Sequence, residues 1–507
     1  MLTTPVRTEF PFPLYARADF DIILFFLSGC LVIERLSRRP LLTKSFLSQN
    51  FQRLPPSATP DCPDARRRRP VPQRHAICAL FSFISATAIL LTTASAQTGA
   101  SSTVAIKNAT ILTMTHGTIE NGTVLIENGK IAAVGANVSI PPSADLIDAG
   151  GEFVLPGLVD PHSHVGVYSL PELQANSDGN EMTGDIQAQV RAEDSINLDD
   201  PEIARGVSGG VTTIQILPGS GNNIGGWAAI VKLNGGQTLD EIKLPGAPAS
   251  MKWAWGENAK RVYGSRNEAP STLMGEAAVV RQRLLDAQNY AAKWKAWEDG
   301  SKKTAPPERD LQLEALSQVL AGKVRLNIHS YQVNHFEALF RIADEFHFQI
   351  AALHHALDAY MIAPEIARRK IGVVTFADSW GFKFEGWDAI PQNAYLLWKE
   401  GVTVSLHTDN PVIEERNYIE QAAIISHYGM PDEAALQTVT INPAKILAID
   451  DHVGSIDVGK DADLTIWTGF PLELTSKADR VFIDGKLVYT MKDGFLPWKG
   501  RPATLVP

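Results

Sequence analysis

The stretch Phe153-Val-Leu-Pro-Gly-Leu-Val-Asp-Pro-His-Ser-His164 carries an apolar run into a pair of histidines. Side chains alternate between the two faces of a strand, so residues two positions apart project in the same direction. His162 and His164 are therefore expected to converge at a strand end, where two imidazoles suit a divalent metal. A His-x-His pair alone is equally typical of ordinary strand polarity, because histidine is intermediate in its burial preference.

Further histidines follow other apolar, β-rich runs. These runs lie at residues 324–329, 350–355 and 402–409, and a similar run without a terminal histidine lies at 371–376. Segments with helical periodicity separate them, at residues 339–346, 360–370 and 393–399. This alternation predicts repeated βα units with a parallel sheet. In a parallel β/α barrel the carboxyl ends of the strands meet at one mouth, so ligands distant in sequence become neighbours.

Motifs in a characteristic order extend this pattern. They are Leu155-Pro-Gly-Leu-Val-Asp-Pro-His-Ser-His164, Ser405-Leu-His-Thr-Asp-Asn-Pro411, Thr440-Ile-Asn-Pro-Ala-Lys445 and Val453-Gly-Ser-Ile-Asp-Val-Gly-Lys-Asp-Ala-Asp-Leu464. Together they resemble the amidohydrolase superfamily, and most of all its imidazolonepropionase-related branch, over residues 100 to 490. The resemblance implies an α/β fold, a metal-dependent hydrolase (β/α)8 TIM barrel with a small composite β-sandwich domain built from both ends of the mature chain.

Two sets of alternating polar and apolar residues flank the barrel segment. Asn128-Gly129 and Asp484-Gly485 lie between such runs, and both dipeptides are strong signals for tight hairpin turns. We predict an N-terminal extension at 1–74, a signal peptide at 75–96, β-sandwich parts at 97–154 and 447–507, and the amidohydrolase TIM barrel at 155–446.

The signal peptide prediction depends on three features in order. Arg66 to Arg69 and Arg74 precede an apolar stretch from Ala76 to Leu91, which ends in Ala94-Ser-Ala96. An uncleaved membrane anchor is the alternative, and a translation start near Val71 would explain the position of the signal so far from Met1. Cys30, Cys62 and Cys78 all precede the cleavage point, so we expect no disulfide or cysteine metal site in the mature protein. We expect an exported, periplasmic or extracellular protein with no stable membrane association after cleavage.

The family pattern takes two histidines from the first strand, one each from the fifth and sixth, and an aspartate from the eighth. The resemblance thus implies His162, His164, His329, His355 and Asp409 as metal ligands. At the sixth strand His354 could also serve. We prefer His355, because relatives carry the form Glu-His-Gly-Thr-Glu-Ala-Tyr where this chain has His354-His-Ala-Leu-Asp-Ala-Tyr360. For His354 we expect a surface or packing role.

A bridging ligand for a second metal is sought near the end of the fourth strand. Relatives use either a carboxylated lysine or a glutamate there, and some use neither and bind one metal. The segment Ala249-Ser-Met-Lys-Trp-Ala-Trp-Gly-Glu-Asn258 offers Lys252 and Glu257. We predict Glu257 as the ligand, because it lies nearer the carboxyl end of the strand.

The implied chemistry is hydrolysis of a C–N bond in an amide, cyclic amide, amidine or dipeptide by a metal-activated water. Asp409 would act as general base and then general acid, and His329 or His355 would stabilise the oxyanion when not fully engaged as ligands. Nitrogen and oxygen ligands without sulfur suit one or two Zn²⁺ ions, with Mn²⁺, Fe²⁺ and Co²⁺ as alternatives.

We expect a small-molecule substrate as the partner and leave a homo-oligomer open. A net charge of −10 and the absence of a basic stripe in the barrel region argue against nucleic-acid binding. A deaminase is the alternative within enzymes. A non-catalytic, metal-free barrel scaffold is the alternative outside them, because fold alone does not prove turnover.

Overall fold

The computed structural model describes residues 103–377, 381 and 383–498. The predicted extension at 1–74, the predicted signal peptide at 75–96 and the three cysteines lie outside the described residues. Among the described residues, no helix combines the length and the apolar character that crossing a membrane requires.

Strands and helices of the described residues are numbered in chain order. The strands are β1 (Thr103–Leu112), β2 (Thr118–Glu127), β3 (Lys130–Gly135), β4 (Asp145–Asp148), β5 (Phe153–Pro156), β6 (Leu158–Ser163), β7 (Val211–Ile216), β8 (Ile224–Trp227), β9 (Ala229–Lys232), β10 (Ser250–Ala254), β11 (Arg325–Ser330), β12 (Ile350–His355), β13 (Gly372–Thr375), β14 (Val404–Leu406), β15 (Leu464–Trp467), β16 (Ala478–Ile483), β17 (Lys486–Thr490) and β18 (Gly494–Phe495).

The α-helices lie mainly between the strands of the central part of the chain. They are α1 (Pro201–Ser208), α2 (Leu239–Ile242), α3 (Glu257–Gly264), α4 (Leu273–Asp299), α5 (Leu311–Leu320), α6 (Val333–Phe346), α7 (Ala363–Arg369), α8 (Asn393–Lys399), α9 (Tyr418–His427), α10 (Asp432–Gln437) and α11 (Ile441–Leu447). Short 3-10 helices occur at Gln174–Asn176, Ala192–Asp194, Ala359–Ile362, Phe384–Gly386, Glu415–Asn417 and Leu496–Trp498.

Strands from both ends of the described chain pair into one sheet. Its order is β18-β17-β16-β15-β5-β1-β2-β3, with β4 added beside β1. The junction is the antiparallel pairing of β5 with β15, in which Val154 faces Ile466. Apolar side chains on this sheet, including Ile106 and Phe482, are fully buried in a core of their own.

The two predicted hairpin turns are confirmed. Asn128 and Gly129 connect β2 to β3, and Asp484 and Gly485 connect β16 to β17. All four residues have positive φ, between 51° and 79°. Asparagine, aspartate and glycine tolerate this turn geometry best. The alternation of polar and apolar residues on either side therefore translates directly into paired strands.

A second group of strands supports the histidines. β10, β11, β12, β13 and β14 run parallel in that order, and β8 pairs antiparallel with β10. β6 and β7 are parallel in a separate sheet, with β9 antiparallel to β7. These strands are buried almost throughout, as expected for parallel strands covered by helices on their faces.

The carboxyl ends of these strands come together across the two sheets. The Asp409 N–H, just after β14, donates to the His162 carbonyl at the end of β6, at 3.0 Å. Below this contact Asp160 of β6 accepts hydrogen bonds from both the backbone N–H and the hydroxyl of Thr408. The carboxyl ends of β6 and β14 are therefore fixed to each other.

Candidate metal centre

Polar side chains from five parallel strands meet at this shared edge. β6 supplies His162 and is followed at once by His164. The other side chains lie in β10, β11 and β12 or directly after β14. They are Lys252, His329, His354, His355, His407 and Asp409. All of them are buried except Asp409, whose side chain is 16% exposed and so retains access to solvent.

His162, His164 and Asp409 form a first cluster. One carboxylate oxygen of Asp409 lies 3.2 Å from His162 Nε2 and 3.1 Å from His164 Nε2. The opposite nitrogen of His164, Nδ1, lies 2.7 Å from the Leu217 carbonyl, to which it donates. Potential ligand atoms of all three residues lie within 4.8 Å of one another, a spacing that one cation can bridge.

A second cluster shares His162 and adds His355 and His407. Potential ligand atoms of these three residues again lie within 4.8 Å of one another. The His329 ring contacts His355, with ring centres 4.2 Å apart. Within the described residues, both ring nitrogens of His329, His355 and His407 are buried without a hydrogen-bond partner. Because buried polar atoms are almost always partnered, these nitrogens are consistent with a divalent metal site.

The charges of the site suit such a cation. Burial lowers the pKa of His162, His329 and His355 well below the usual value, and lowers that of His407 to about 3, although Asp409 opposes the change at His407. The imidazoles are therefore neutral, the state in which they bind metals. Burial raises the pKa of Asp409, but the hydrogen bond and charge of His164 outweigh it, so this pKa lies below the usual value.

Lys252 lies inside the site and Glu257 does not join either cluster. Lys252 is 1% exposed, and its Nζ is 3.0 Å from His162 Nε2. Burial lowers the pKa of Lys252 to about 8, partly opposed by the charge of Asp409. The Glu257 carboxylate instead lies 3.5 Å from Lys383 Nζ, at the start of α3. The geometry thus favours Lys252 over Glu257, the reverse of our prediction.

Two histidines take positions that the sequence reasoning did not assign. His354, for which we expected a surface or packing role, is fully buried, and its Nδ1 lies 2.9 Å from His162 Nδ1, so the surface alternative is wrong. His407 stacks on His162, with ring centres 4.9 Å apart. A signal for His407 was present, because it precedes Asp409 by two residues, the same spacing that linked His162 to His164.

A pair of buried carboxyl groups supports the site from below. Glu415 accepts a hydrogen bond from Ser163 at 2.9 Å, and the same carboxyl oxygen lies 3.1 Å from the Thr408 hydroxyl, which donates its proton to Asp160. Burial raises the pKa of Asp160 to about 7, and burial together with the charge of Asp160 raises that of Glu415 well above its usual value. One proton shared between these groups lets both remain in the interior next to the ends of β6 and β14.

A cavity of about 440 Å³ opens beside the first cluster. It is lined by Tyr168, Ser169, Glu172, Leu173 and Pro411, among others. Pro411 follows Asp409 by two residues, and the Tyr168 ring contacts that of His164 edge to face, with ring centres 5.6 Å apart. The cavity therefore borders residues that contact or follow the first cluster, and it is a candidate entry to the site.

Comparisons with known proteins identify relatives of this chain. The family model described as "Amidohydrolase family" matches residues 389–495. The chain is 38% identical to the amidohydrolase tasK of Hapsidospora irregularis over 72% of its own length, although it spans only 39% of that protein. It is 25% identical to the imidazolonepropionase of Thermoplasma volcanium, covering 73% of this chain and 91% of that one.

A solved structure also matches this chain over the whole of its own length. The crystal structure of an amidohydrolase from Thermotoga maritima MSB8 is 38% identical, with a TM-score of 0.73. The alignment covers 76% of this chain and 100% of the solved one, so the described α/β architecture is that of the superfamily, whose fold is of the TIM-barrel type. The chain therefore belongs to the amidohydrolase family and is a hydrolase acting on C–N bonds.

Proposed function

We propose that this protein is a metal-dependent amidohydrolase that cleaves the C–N bond of an amide, a cyclic amide or a dipeptide. The observation that carries the proposal is the pair of clusters centred on His162, with buried histidine nitrogens that have no partner among the described residues. The proposal includes the finer architecture: a closed (β/α)8 barrel around these strand ends, and a β-sandwich that contains the sheet built from both ends.

The proposed metal site uses His162, His164 and Asp409 on one side. His329 and His355 would bind on the other side, and Lys252, which contacts His162, replaces Glu257 as the candidate bridging group. A carboxylated Lys252 amine would supply two oxygens to a two-metal site, whereas the free amine fits a single metal. Zn²⁺ suits this nitrogen and oxygen set best, with Mn²⁺, Fe²⁺ and Co²⁺ as alternatives.

The metal, when bound, supplies a water of lowered pKa and polarises the scissile carbonyl. Asp409 is placed to accept the proton of the attacking water, because its lowered pKa keeps it ionised at neutral pH. The same carboxylate then delivers this proton to the leaving nitrogen in the adjacent cavity. His329 and His355 stabilise the developing oxyanion to the extent that their nitrogens are not engaged as ligands.

A screen of purified protein tests this proposal. N-acyl amino acids, Xaa-Pro dipeptides and cyclic ureides would be offered to enzyme loaded with Zn²⁺, with free ammonia followed separately. We expect cleavage of at least one class, together with one or two equivalents of metal by elemental analysis. Ammonia release without amide cleavage would indicate a deaminase. Absence of bound metal and of any turnover would indicate a scaffold and contradict the proposal.

We also propose that the mature protein is exported, acts on a small molecule and remains free of the membrane after signal cleavage. Support comes from the basic and apolar pattern before Gln97. N-terminal sequencing of the protein recovered from the periplasm or medium would test this, with Gln97 as the expected first residue. A mature chain that begins well upstream of Gln97 would contradict the proposed cleavage site.

A further inference from the structure

We infer that His354 and Asn327 form a relay that fixes which nitrogen of His162 carries the proton. The relay holds the proton on His162 Nδ1 and leaves Nε2 as a bare ligand atom. His354 and Asn327 are then positioning residues, which act on the metal site through His162. The inference deepens the proposed function, because it states how one ligand of that site is prepared for metal.

The relay is a short, fully buried chain of side chains. Asn327 Oδ1 lies 3.0 Å from His354 Nε2, and His354 Nδ1 lies 2.9 Å from His162 Nδ1. The three residues are at most 1% exposed. They come from the neighbouring parallel strands β11 and β12 and from β6. Solvent therefore does not compete for these hydrogen bonds, and each requires one donor and one acceptor.

The direction of the relay follows from the amide oxygen. An oxygen can only accept, so His354 Nε2 must carry a proton and donate to Asn327. The amide nitrogen of Asn327 lies 3.5 Å from the Arg325 carbonyl, which favours this orientation of the amide. Within the described residues no carboxylate pairs with the fully buried His354 ring, whose nitrogens contact Asn327 and His162. A second ring proton would place an unpaired charge in the interior, so Nδ1 has no proton and can only accept. His162 must then donate from Nδ1, and a neutral His162 has its lone pair at Nε2.

Without the relay, the surroundings of His162 Nε2 would favour the opposite tautomer, with the proton on Nε2. The Asp409 carboxylate lies 3.2 Å from His162 Nε2 and would accept a proton held there. With the proton on Nδ1, two acceptors face each other at Nε2 and Asp409, and a cation between them removes the repulsion. Lys252 Nζ, 3.0 Å from the same nitrogen, can serve as that cation when no metal is bound.

His164 shows the same arrangement by a simpler route. Its Nδ1 donates to the Leu217 carbonyl at 2.7 Å, and its Nε2 faces Asp409 at 3.1 Å. Metal-binding histidines generally donate their second ring N–H to such an acceptor, which fixes the tautomer and the ring orientation. His162 has a side-chain relay in place of the backbone carbonyl, so its tautomer depends on residues that can be replaced.

Metal affinity in variants tests the relay. Metal-free enzyme would be titrated with Zn²⁺ against a chromogenic chelator. We expect His354→Leu to bind Zn²⁺ about 10–100-fold more weakly, since loss of an outer hydrogen-bond partner typically has this effect. Asn327→Leu should weaken binding less, because His354 can still adopt the accepting tautomer. His354→Gln should restore affinity, because its amide oxygen can accept from His162 Nδ1.

A matched control is His335→Leu, which also removes a buried histidine but lies outside the relay and the two clusters. Its Zn²⁺ affinity should remain close to that of the wild type. Unchanged affinity in His354→Leu, or equal losses in His354→Leu and His354→Gln, would overturn the relay.

A measurement on the unaltered protein applies even where a variant does not fold. In metal-free enzyme labelled with ¹⁵N-histidine, the His162 signal should show a protonated Nδ1 and an unprotonated Nε2. A proton on Nε2 would refute the inference directly. Hydrolysis would be followed in the same samples. Protein with the expected tautomer and tight Zn²⁺ binding but no turnover would contradict the proposed function and leave the relay intact.

Discussion

At the scale of single residues, the alternation rule explains both what could be predicted in the site and what could not. It correctly directed His162 and His164 to one place. His355 and Asp409 end their segments with φ of 66° and 50°, outside the strand region in which neighbouring side chains alternate. His354 and His355 can therefore both reach the cluster around His162, which a strand pattern does not predict. The choice between Lys252 and Glu257 likewise depended on where β10 ends, at Ala254.

Asp409 carries the proton in the proposed mechanism, so its carboxylate can be tested directly. We expect Asp409→Asn to lower kcat about 10²–10⁴-fold, the usual contribution of a positioned acid or base. Metal content would be measured in the same preparation. Near wild-type kcat in a variant that still binds metal would exclude the proposed proton transfer by Asp409.

Lys252 and Glu257 form a natural pair for a second test. We expect Lys252→Met to reduce the amount of metal bound and to lower kcat about 10²-fold or more, because it removes a group in contact with His162. Glu257→Gln should change neither quantity strongly, since that side chain pairs with Lys383. Elemental analysis measures the bound metal, and steady-state kinetics measure kcat, in both variants. The reverse ranking would restore Glu257 as the ligand.

At the scale of helices and strands, the sequence predicted the type of an element better than the residues at which it begins and ends. The helix predicted at 393–399 is confirmed as α8, and the one predicted at 339–346 forms the second part of α6. The segment predicted as one helix at 360–370 is instead a 3-10 helix followed by α7. Pro364 lies in the first turn of α7, where its missing N–H is tolerated, so the regular helix begins there.

Helix α4 contacts the end of β10 through a buried carboxyl group. Glu276 is fully buried, and its two oxygens lie 3.1 and 3.3 Å from the Gly256 nitrogen, just before α3. Burial raises the pKa of Glu276 to about 8, with the hydrogen bond from Gly256 and the charge of Lys260 opposing this and Asp185 and Glu385 adding to it. The folded protein therefore favours the protonated form more than the unfolded chain does.

This raised pKa predicts a loss of stability as the pH rises. The contribution of the Glu276 carboxyl group to stability is fully present below its unfolded-state pKa near 4.5. It is lost as the pH rises through the folded-state pKa of about 8. Relative to the wild type, Glu276→Gln should gain about 2–4 kcal/mol in free energy of unfolding between about pH 5 and pH 9. Urea denaturation at both pH values measures this. The exposed Glu308→Gln is the control, and an identical pH dependence in wild type and Glu276→Gln would contradict the assignment.

At the scale of the whole molecule, the sheet built from both ends is joined to the strands of the site by a buried ion cluster. Lys232, the last residue of β9, is 4% exposed and lies 2.7 Å from Asp461, 3.2 Å from Asp463 and 2.5 Å from Asp484. The charges of the three aspartates raise the pKa of Lys232 despite its burial. Sequence could show the hairpins individually, but it could not show this contact across more than 200 residues.

Removing the lysine should leave buried carboxylates without their cation. We expect Lys232→Met to lower the free energy of unfolding by about 3–5 kcal/mol, the cost of breaking a buried ion pair on one side. Lys130 also pairs with Asp461, but half of its side chain is exposed, so Lys130→Met should cost about 1 kcal/mol or less. Chemical denaturation compares the two, and equal losses would show that Lys232 has no special role.

The antiparallel pairing of β5 with β15 also constrains how the polypeptide matures during synthesis. β5 leads directly into β6 and His162, yet its partner begins only at Leu464. On the ribosome, this edge of β5 therefore stays open until nearly all of the described chain has been translated. Such late, long-range pairing slows folding and leaves an apolar strand exposed to association with other nascent chains. The segment around residue 464 thus sets the earliest moment at which the strand leading to the candidate metal centre can acquire its final neighbours.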